Sequence, residues 1–253
     1  MKHWVHLAIN GNWVSITGDT VESIKYPLEN RIWFTYPNQT SGLGAGASGT
    51  YEQPNGTGRV LDDGTTQLTL KDYNTLGNVT RRVDALGRET TYEYDPNLID
   101  VLRVKQKSSA TATTLLASFT YNSQHLPLTA TNAAGQTTTF TYNAAGQVTT
   151  VTNALNQKTT YVYAANGNLT TVTNANNKTA MTYTYDAFNR VATRTDSEGY
   201  AIAYTYDAFD RVTRETYPDT THRDSVYDKL DRVSMTDRLG RGTLYTYDAL
   251  MIS

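Results

Sequence analysis

Three acid–base pairs recur at a spacing of four: Asp186/Arg190, Asp207/Arg211 and Asp228/Arg232. A carboxylate beside a guanidinium can act as a general base or hold a developing charge. Catalysis needs groups that converge on one point, and three equivalent copies strung along a chain define no such point. The pairs read instead as turn brackets, the Asp capping the turn and the Arg closing it from the far side. Exposed pairs of this kind contribute about 0–1 kcal/mol each. The histidines are His3, His6, His125 and His222, and none has a second donor at metal-ligand spacing. No Ser is set beside a base and an orienting group. Gly42 to Gly49 is glycine-rich but lacks the Lys-Ser/Thr ending of a phosphate loop, so it reads as a flexible loop. The expectation is no catalytic residue, no cofactor and no metal.

Aromatics offer a second chemistry, stacking on sugars or unpaired bases. Pairs spaced by two recur at Tyr92/Tyr94, Phe119/Tyr121, Phe140/Tyr142, Tyr161/Tyr163, Tyr183/Tyr185, Tyr204/Tyr206 and Tyr245/Tyr247, while Tyr73 and Tyr227 stand without a partner. From Tyr121 onward the second aromatics follow at 20 to 22 residues. Such a fixed period marks a repeat architecture, here of about eight units. A spacing of two puts both rings on one face of a strand. In Lys158–Tyr163, for example, Thr159, Tyr161 and Tyr163 share a face. Gln147–Thr152 supplies a second strand, so each unit is a β-hairpin plus a link to the next. Cross-strand packing then accounts for the rings at roughly 0.2–1 kcal/mol per pair. The interval from Tyr94 to Tyr121 is longer, at 27 residues, which predicts an insertion near 96–118 around the spacer Ser108–Thr114.

Turn chemistry supports the same units independently. Four residues after each marker Tyr stand Gly77, His125, Gly146, Gly167, Asn189, Asp210 and Asp231. These residue types tolerate a left-handed backbone. The linking turns show the same rule at Gly87, Gly135, Asn156, Asn177, Gly199 and Gly240, with Thr220 as the exception. A β-branched residue held left-handed there costs roughly 1–3 kcal/mol. Residues 1–70 follow the pattern loosely. Ile9–Trp13 reads as a hairpin turn, Trp33–Tyr36 as a degenerate aromatic strand, Ser41–Gly58 as a glycine-rich loop, and Asp62–Thr65 as the turn into the regular array.

Composition fits this reading. The 253 residues are 38% apolar and 18% charged, with 19 Tyr and 17 Gly. The net charge of −2 leaves no electrostatic footprint for nucleic acid. Without cysteine there is no disulfide framework and no thiolate metal site. Neither a signal-peptide core nor a membrane span is visible. Sequons at Asn38, Asn55, Asn78, Asn168 and Asn177 arise readily in an Asn- and Thr-rich repeat and imply no glycosylation.

Tyr-Asp-Ala-Phe-Asn-Arg-Val (185–191), Tyr-Asp-Ala-Phe-Asp-Arg-Val (206–212), Tyr-Asp-Lys-Leu-Asp-Arg-Val (227–233) and Thr-Asp-Arg-Leu-Gly-Arg (236–241) resemble the YD repeat of the Rhs family. The resemblance covers 73–250, and Arg59–Leu68 is similar to the stretch preceding the array in bacterial members. It implies an all-β fold of tandem β-hairpins forming a long curved strip, an arc of a hollow shell. In bacterial members that shell encloses a C-terminal toxin. The implied partners are the remainder of the shell and its enclosed toxin domain. Implied too is a secreted or surface-associated parent, cytoplasmic before export. A competing reading makes the strip a recognition surface for a glycan or a cell-surface protein. Strands about 4.8 Å apart make eight two-strand units a strip roughly 75 Å long, which must curl. The expected organisation is a divergent region over 1–70, the array over 71–248, and an aberrant tail over 249–253. In that tail Met251, Ile252 and Ser253 replace the expected turn and predict a truncated unit with an unpaired edge.

Overall fold

The computed structural model describes residues 2–9, 12–37 and 53–247. The chain divides into two units, Met1–Thr137 and Thr138–Ser253. All the described elements are strands joined by turns. In the first unit these are β1 (Lys2–Ile9), β2 (Asn12–Ile24), β3 (Ile32–Thr35), β4 (Gly56–Val60), β5 (Thr66–Tyr73), β6 (Val79–Val83), β7 (Glu89–Tyr94), β8 (Val101–Lys107), β9 (Thr113–Tyr121) and β10 (Pro127–Asn132). The second holds β11 (Thr137–Tyr142), β12 (Val148–Thr152), β13 (Lys158–Tyr163), β14 (Leu169–Thr173), β15 (Thr179–Tyr185), β16 (Val191–Asp196), β17 (Ala201–Tyr206), β18 (Val212–Thr216), β19 (His222–Asp228), β20 (Asp231–Thr236) and β21 (Gly242–Leu244). Only the first residue of β11 belongs to the first unit. Within each unit every strand pairs antiparallel with its neighbours in sequence.

Two kinds of ladder alternate. Hairpin ladders, as in β17–β18, run from Ala203↔Thr216 to Tyr206↔Val212 and slip between Thr205 and Tyr206. The slip leaves Thr213 as an extra residue, a β-bulge that re-aims the neighbouring side chain. The same slip precedes Tyr73, Tyr94, Tyr142, Tyr163, Tyr185 and Tyr227. In the second unit the link ladders are shorter: β16–β17 holds Thr193↔Ala203, Arg194↔Ile202 and Thr195↔Ala201 only. Turns after the marker tyrosines therefore line one rim of a unit, the hairpin rim. Linking turns line the other, the link rim.

The described residues form almost no packed core. Among the described hydrophobic side chains only Tyr36 is buried, joined by the polar Ser23 and Asp100. A domain normally buries the apolar face of a sheet against a second layer. Here most strand residues are half-covered by their neighbours on the same face. Stability must then accrue pair by pair, as in other repeat proteins.

Several boundaries differ from the sequence reading. The insertion expected near 96–118 takes the form of a lengthened link: β8 and β9 have 7 and 9 residues, and only Ser108–Ala112 of the expected spacer Ser108–Thr114 is turn. Thr113 and Thr114 enter β9, as β-branched residues favour. The glycine-rich loop ends earlier than expected, because Gly56–Gly58 open β4 against β3. A Cβ at Gly56 would overlap Thr35 Oγ1, so a larger residue there would require Thr35 to turn aside. The last strand, β21, covers three residues and stops at Leu244. The turn at Asn10–Gly11, the loop at 42–49 and the tail at 249–253 lie outside the described residues.

Candidate functional site

The bulge turns each marker tyrosine back across the preceding strand. Tyr206 lies at the end of β17, and its hydroxyl donates to the carbonyl of Val191, at the start of β16, at 2.8 Å. Val191 lies past the last pair of the link ladder, where the two strands have parted. The ring therefore spans the gap that the ladder leaves. The same fastening recurs from Tyr94 to Val79 (2.8 Å), Tyr121 to Val101 (3.0 Å), Tyr163 to Val148 (2.8 Å), Tyr185 to Leu169 (2.7 Å), Tyr227 to Val212 (3.3 Å) and Tyr247 to Arg232 (2.9 Å). At the start of the array Tyr73 reaches Pro54, and before it Tyr36 reaches Val21, both at 2.7 Å. Tyr142, ending β11, is half-buried, as are the other array tyrosines except the exposed Tyr247. Burial holds the hydroxyls of Tyr73, Tyr94, Tyr121, Tyr142, Tyr185 and Tyr206 above the ordinary phenol value. Neutral donors bonded to carbonyls suit fastening and leave no free nucleophile.

The turns obey one rule on both rims. The residue after each marker Tyr is Asn or Asp in most units, and its side chain caps the turn. Asp207 Oδ1 accepts the backbone N–H groups of Phe209 and Arg211, at 2.9 and 3.1 Å. Gly77, Gly146 and Gly167 sit at φ of 81°, 79° and 87°, and His125, Asn189 and Asp210 at 61° to 62°. Thr220 keeps the geometry at φ 66° despite its branched Cβ.

The structure brings two of the three Asp/Arg pairs together. Arg190 Nε meets Asp186 Oδ2 at 2.8 Å, and Arg211 Nε meets Asp207 Oδ2 at 2.8 Å. The Arg211 hydrogen bond holds the Asp207 carboxyl below the usual range. Each guanidinium also covers two rings: Arg190 lies 5.0 Å from Phe188 and 4.6 Å from Tyr206, and Arg211 lies 5.3 Å from Phe209 and 4.2 Å from Tyr227. Asp228/Arg232 is not a pair. The chain turns tightly through Lys229 and Leu230, so Asp228 faces Asp231 across the ladder. Lys229, at φ 52°, takes the left-handed place expected of Asp231. Arg232, carried away from Asp228, lies 4.7 Å over the Tyr245 ring and donates to its hydroxyl at 3.2 Å.

A second fastening runs along the hairpin rim and escaped the sequence reading. In five repeats the residue five after the marker Tyr reaches the next hairpin turn. Asn78 Nδ2 donates to Leu98 O at 2.9 Å, and Gln147 Nε2 to Gly167 O at 2.7 Å. Asn168 Nδ2 donates to Asn189 Oδ1 at 3.1 Å, Arg190 to Asp210 Oδ1 at 2.9 Å, and Arg211 to Lys229 O. His125 Nδ1 and Asp100 Oδ2 join two turns in the same way at 2.8 Å. The available signal was that donor-bearing side chains follow the left-handed slot at 78, 147, 168, 190 and 211. No group of three or more His, Cys, Asp or Glu side chains that could hold a metal occurs among the described residues.

Hairpins stacked side by side, each fastened to the last by a tyrosine, define an all-β tandem-repeat protein. The RHS repeat model matches residues 73–97, 121–158, 142–179, 163–201 and 185–222, together half of the chain. The chain belongs to the RHS repeat family. No curated protein matches it. Among solved structures it is similar to TcdB2-TccC3-Cdc42, with a TM-score of 0.59, 14% identity, and coverage of 85% of this chain and 12% of that one. It is similar to TcdB2-TccC3 without its hypervariable C-terminal region at a TM-score of 0.60, with the same identity and coverages. It also resembles a chain of the Photorhabdus luminescens Tc holotoxin pore, at a TM-score of 0.58 and 14% identity, covering 96% of this chain and 15% of that one. At such identity the likeness is one of fold. The chain spans 12 to 15% of the chains it matches.

Proposed function

We propose that this chain is a stretch of the wall of an RHS-type shell, enclosing a C-terminal toxin or other cargo and performing no catalysis itself. The observation that carries the reading is the single layer of strands fastened tyrosine to carbonyl, nearly coreless among the described residues. A packed domain invests its apolar surface in a core; a wall extends by adding units. The partners on this reading are the rest of the shell and the enclosed domain, and the parent is secreted or held at a cell surface.

The test uses the parent protein in which this stretch occurs. Limited proteolysis should leave the segment after the repeats intact in the native parent. It should cut that segment in a parent carrying Tyr206→Ala and Tyr227→Ala. Equal cleavage of the segment in both would end the shell reading. Assays against peptides, esters, phosphates and glycosides should show no turnover, and an activity abolished by one point substitution would overturn the non-catalytic role.

A further inference from the structure

The link rim of the second unit contains one open notch whose counterpart further along is filled. Its volume is about 460 Å³. The cross-strand pair Val151 and Thr159 forms the floor. The turn bearing Asn153 and Gln157 makes one wall, and Asn174, Ala175 and Asn176 of the next link turn make the other. Three repeats on, the equivalent floor pair is Glu215 and Arg223. There Arg238, the counterpart of Ala175, closes the space. Its guanidinium lies 4.1 Å over the Tyr217 ring and donates to Asp219 Oδ2 at 2.6 Å, Thr221 Oγ1 at 2.8 Å and the Tyr200 hydroxyl at 3.3 Å. Alanine at 175 and small residues at 151 and 159 leave vacant what arginine fills at 238.

The lining selects the ligand. It contains no charged side chain and no aromatic ring, but four carboxamides. Asn153 and Asn174 use Oδ1 within their own turns, and Asn153 Nδ2 is taken by Gln157 Oε1. The side-chain N–H groups of Gln157, Asn174 and Asn176 have no protein partner among the described residues. A cation would find no carboxylate and an anion no guanidinium. The groups left free are the N–H donors of Gln157, Asn174 and Asn176 beside the Asn176 Oδ1 acceptor, the complement of a hydroxyl beside a hydroxyl. Ligand sites commonly occupy about 300–1,000 Å³ with a few convergent polar groups. We infer that this notch binds a neutral polyhydroxyl ligand of pyranose size, a single sugar residue of a glycan. The inference does not depend on the shell reading. The site is open and without a stacking ring, so the affinity is weak, with Kd on the order of 1 mM.

Saturation-transfer NMR on the full chain with the methyl glycosides of glucose, galactose and mannose, and with N-acetylglucosamine, tests it. At least one neutral pyranose should receive saturation. Ala175→Arg, which closes the notch as Arg238 closes its own, should reduce the signal at least about tenfold while the melting temperature holds. Gln157→Ala with Asn176→Ala, which removes donors and adds no bulk, should reduce it severalfold. No transfer to any of the four sugars, or equal transfer to wild type and Ala175→Arg, would overturn the inference. So would stronger transfer to arginine amide than to every sugar, since the notch would then be a socket for a guanidinium.

Discussion

The two rims of the second unit are made from the same turn and behave differently. On both, an Asn or Asp caps the turn and a left-handed residue closes it. On the hairpin rim the residue after the left-handed position reaches forward to the next turn, as Gln147, Asn168, Arg190 and Arg211 do. On the link rim the same position turns inward: Gln157 bonds Asn153 and Arg241 bonds Asp237. Marker tyrosines fill the gaps on the first rim, while the second keeps an open notch. Turn chemistry thus fixes where the chain reverses, and the residue after the turn decides whether neighbouring reversals are joined.

The largest expected effect comes from titrating the tyrosines. Their raised folded values mean that the neutral hydroxyl is the form the fold prefers. That contribution is complete below the unfolded value of about 10 and is lost as pH rises through the folded values. Circular dichroism should show cooperative unfolding beginning near pH 10. The caps carry the opposite sign. The carboxyls of Asp84 and Asp237 are held low chiefly by backbone N–H groups, and that of Asp207 chiefly by Arg211. Their contribution is present above about pH 4 and lost as pH falls through the folded values. They are half-buried at the turn rims and desolvated less than the tyrosines, so the acid loss should be the smaller. A fold unmoved by alkali to pH 11 would detach the tyrosines from stability.

Next comes a direct contrast of rims. Tyr206→Ala removes the ring from its gap and should cost about 2–3 kcal/mol, with Tyr206→Phe accounting for about 1 kcal/mol of it. Leu155→Ala, at an exposed link-turn tip, should stay within about 0.5 kcal/mol. Equal costs in urea unfolding would erase the distinction between rims.

Smaller still is the backbone contrast. Gly146→Val forces a branched residue to φ near 79° and should cost about 1–2 kcal/mol, whereas Asn189→Gly should be nearly neutral. The smallest effect has the opposite direction: Thr220→Gly relieves a β-branched residue at φ 66° and should stabilise by up to about 1 kcal/mol. Matching melting shifts for Gly146→Val and Asn189→Gly, or a destabilised Thr220→Gly, would mean that other contacts govern these turns.

Much of this was legible from the chain alone. Strand positions follow from aromatics at a spacing of two, and turn positions from Gly, Asn and Asp at fixed offsets. What escaped was conformational rather than compositional. The bulge before each marker Tyr comes from a mismatch in ladder register, which no single residue announces. Asp231 carries the same local pattern as Asp210, yet the turn through Lys229 and Leu230 is shorter and brings Asp231 into β20. Arg232 then loses Asp228 and takes Tyr245 instead, a partner 13 residues away. The sugar-sized notch depended on comparing Ala175 with Arg238, which requires knowing that the two turns face equivalent gaps.

The acceptor that each marker tyrosine chooses has one more consequence. It grips a main-chain oxygen, and the residues supplying it include Val, Leu, Arg and Pro. A fastener that ignores side-chain identity places almost no constraint on what mutates beneath it. Each repeat can drift while the tyrosine, the slip in the ladder and a left-handed turn residue persist. Relatives built this way should diverge in letters far sooner than in form, and chains 14% identical to this one do superpose with TM-scores near 0.6.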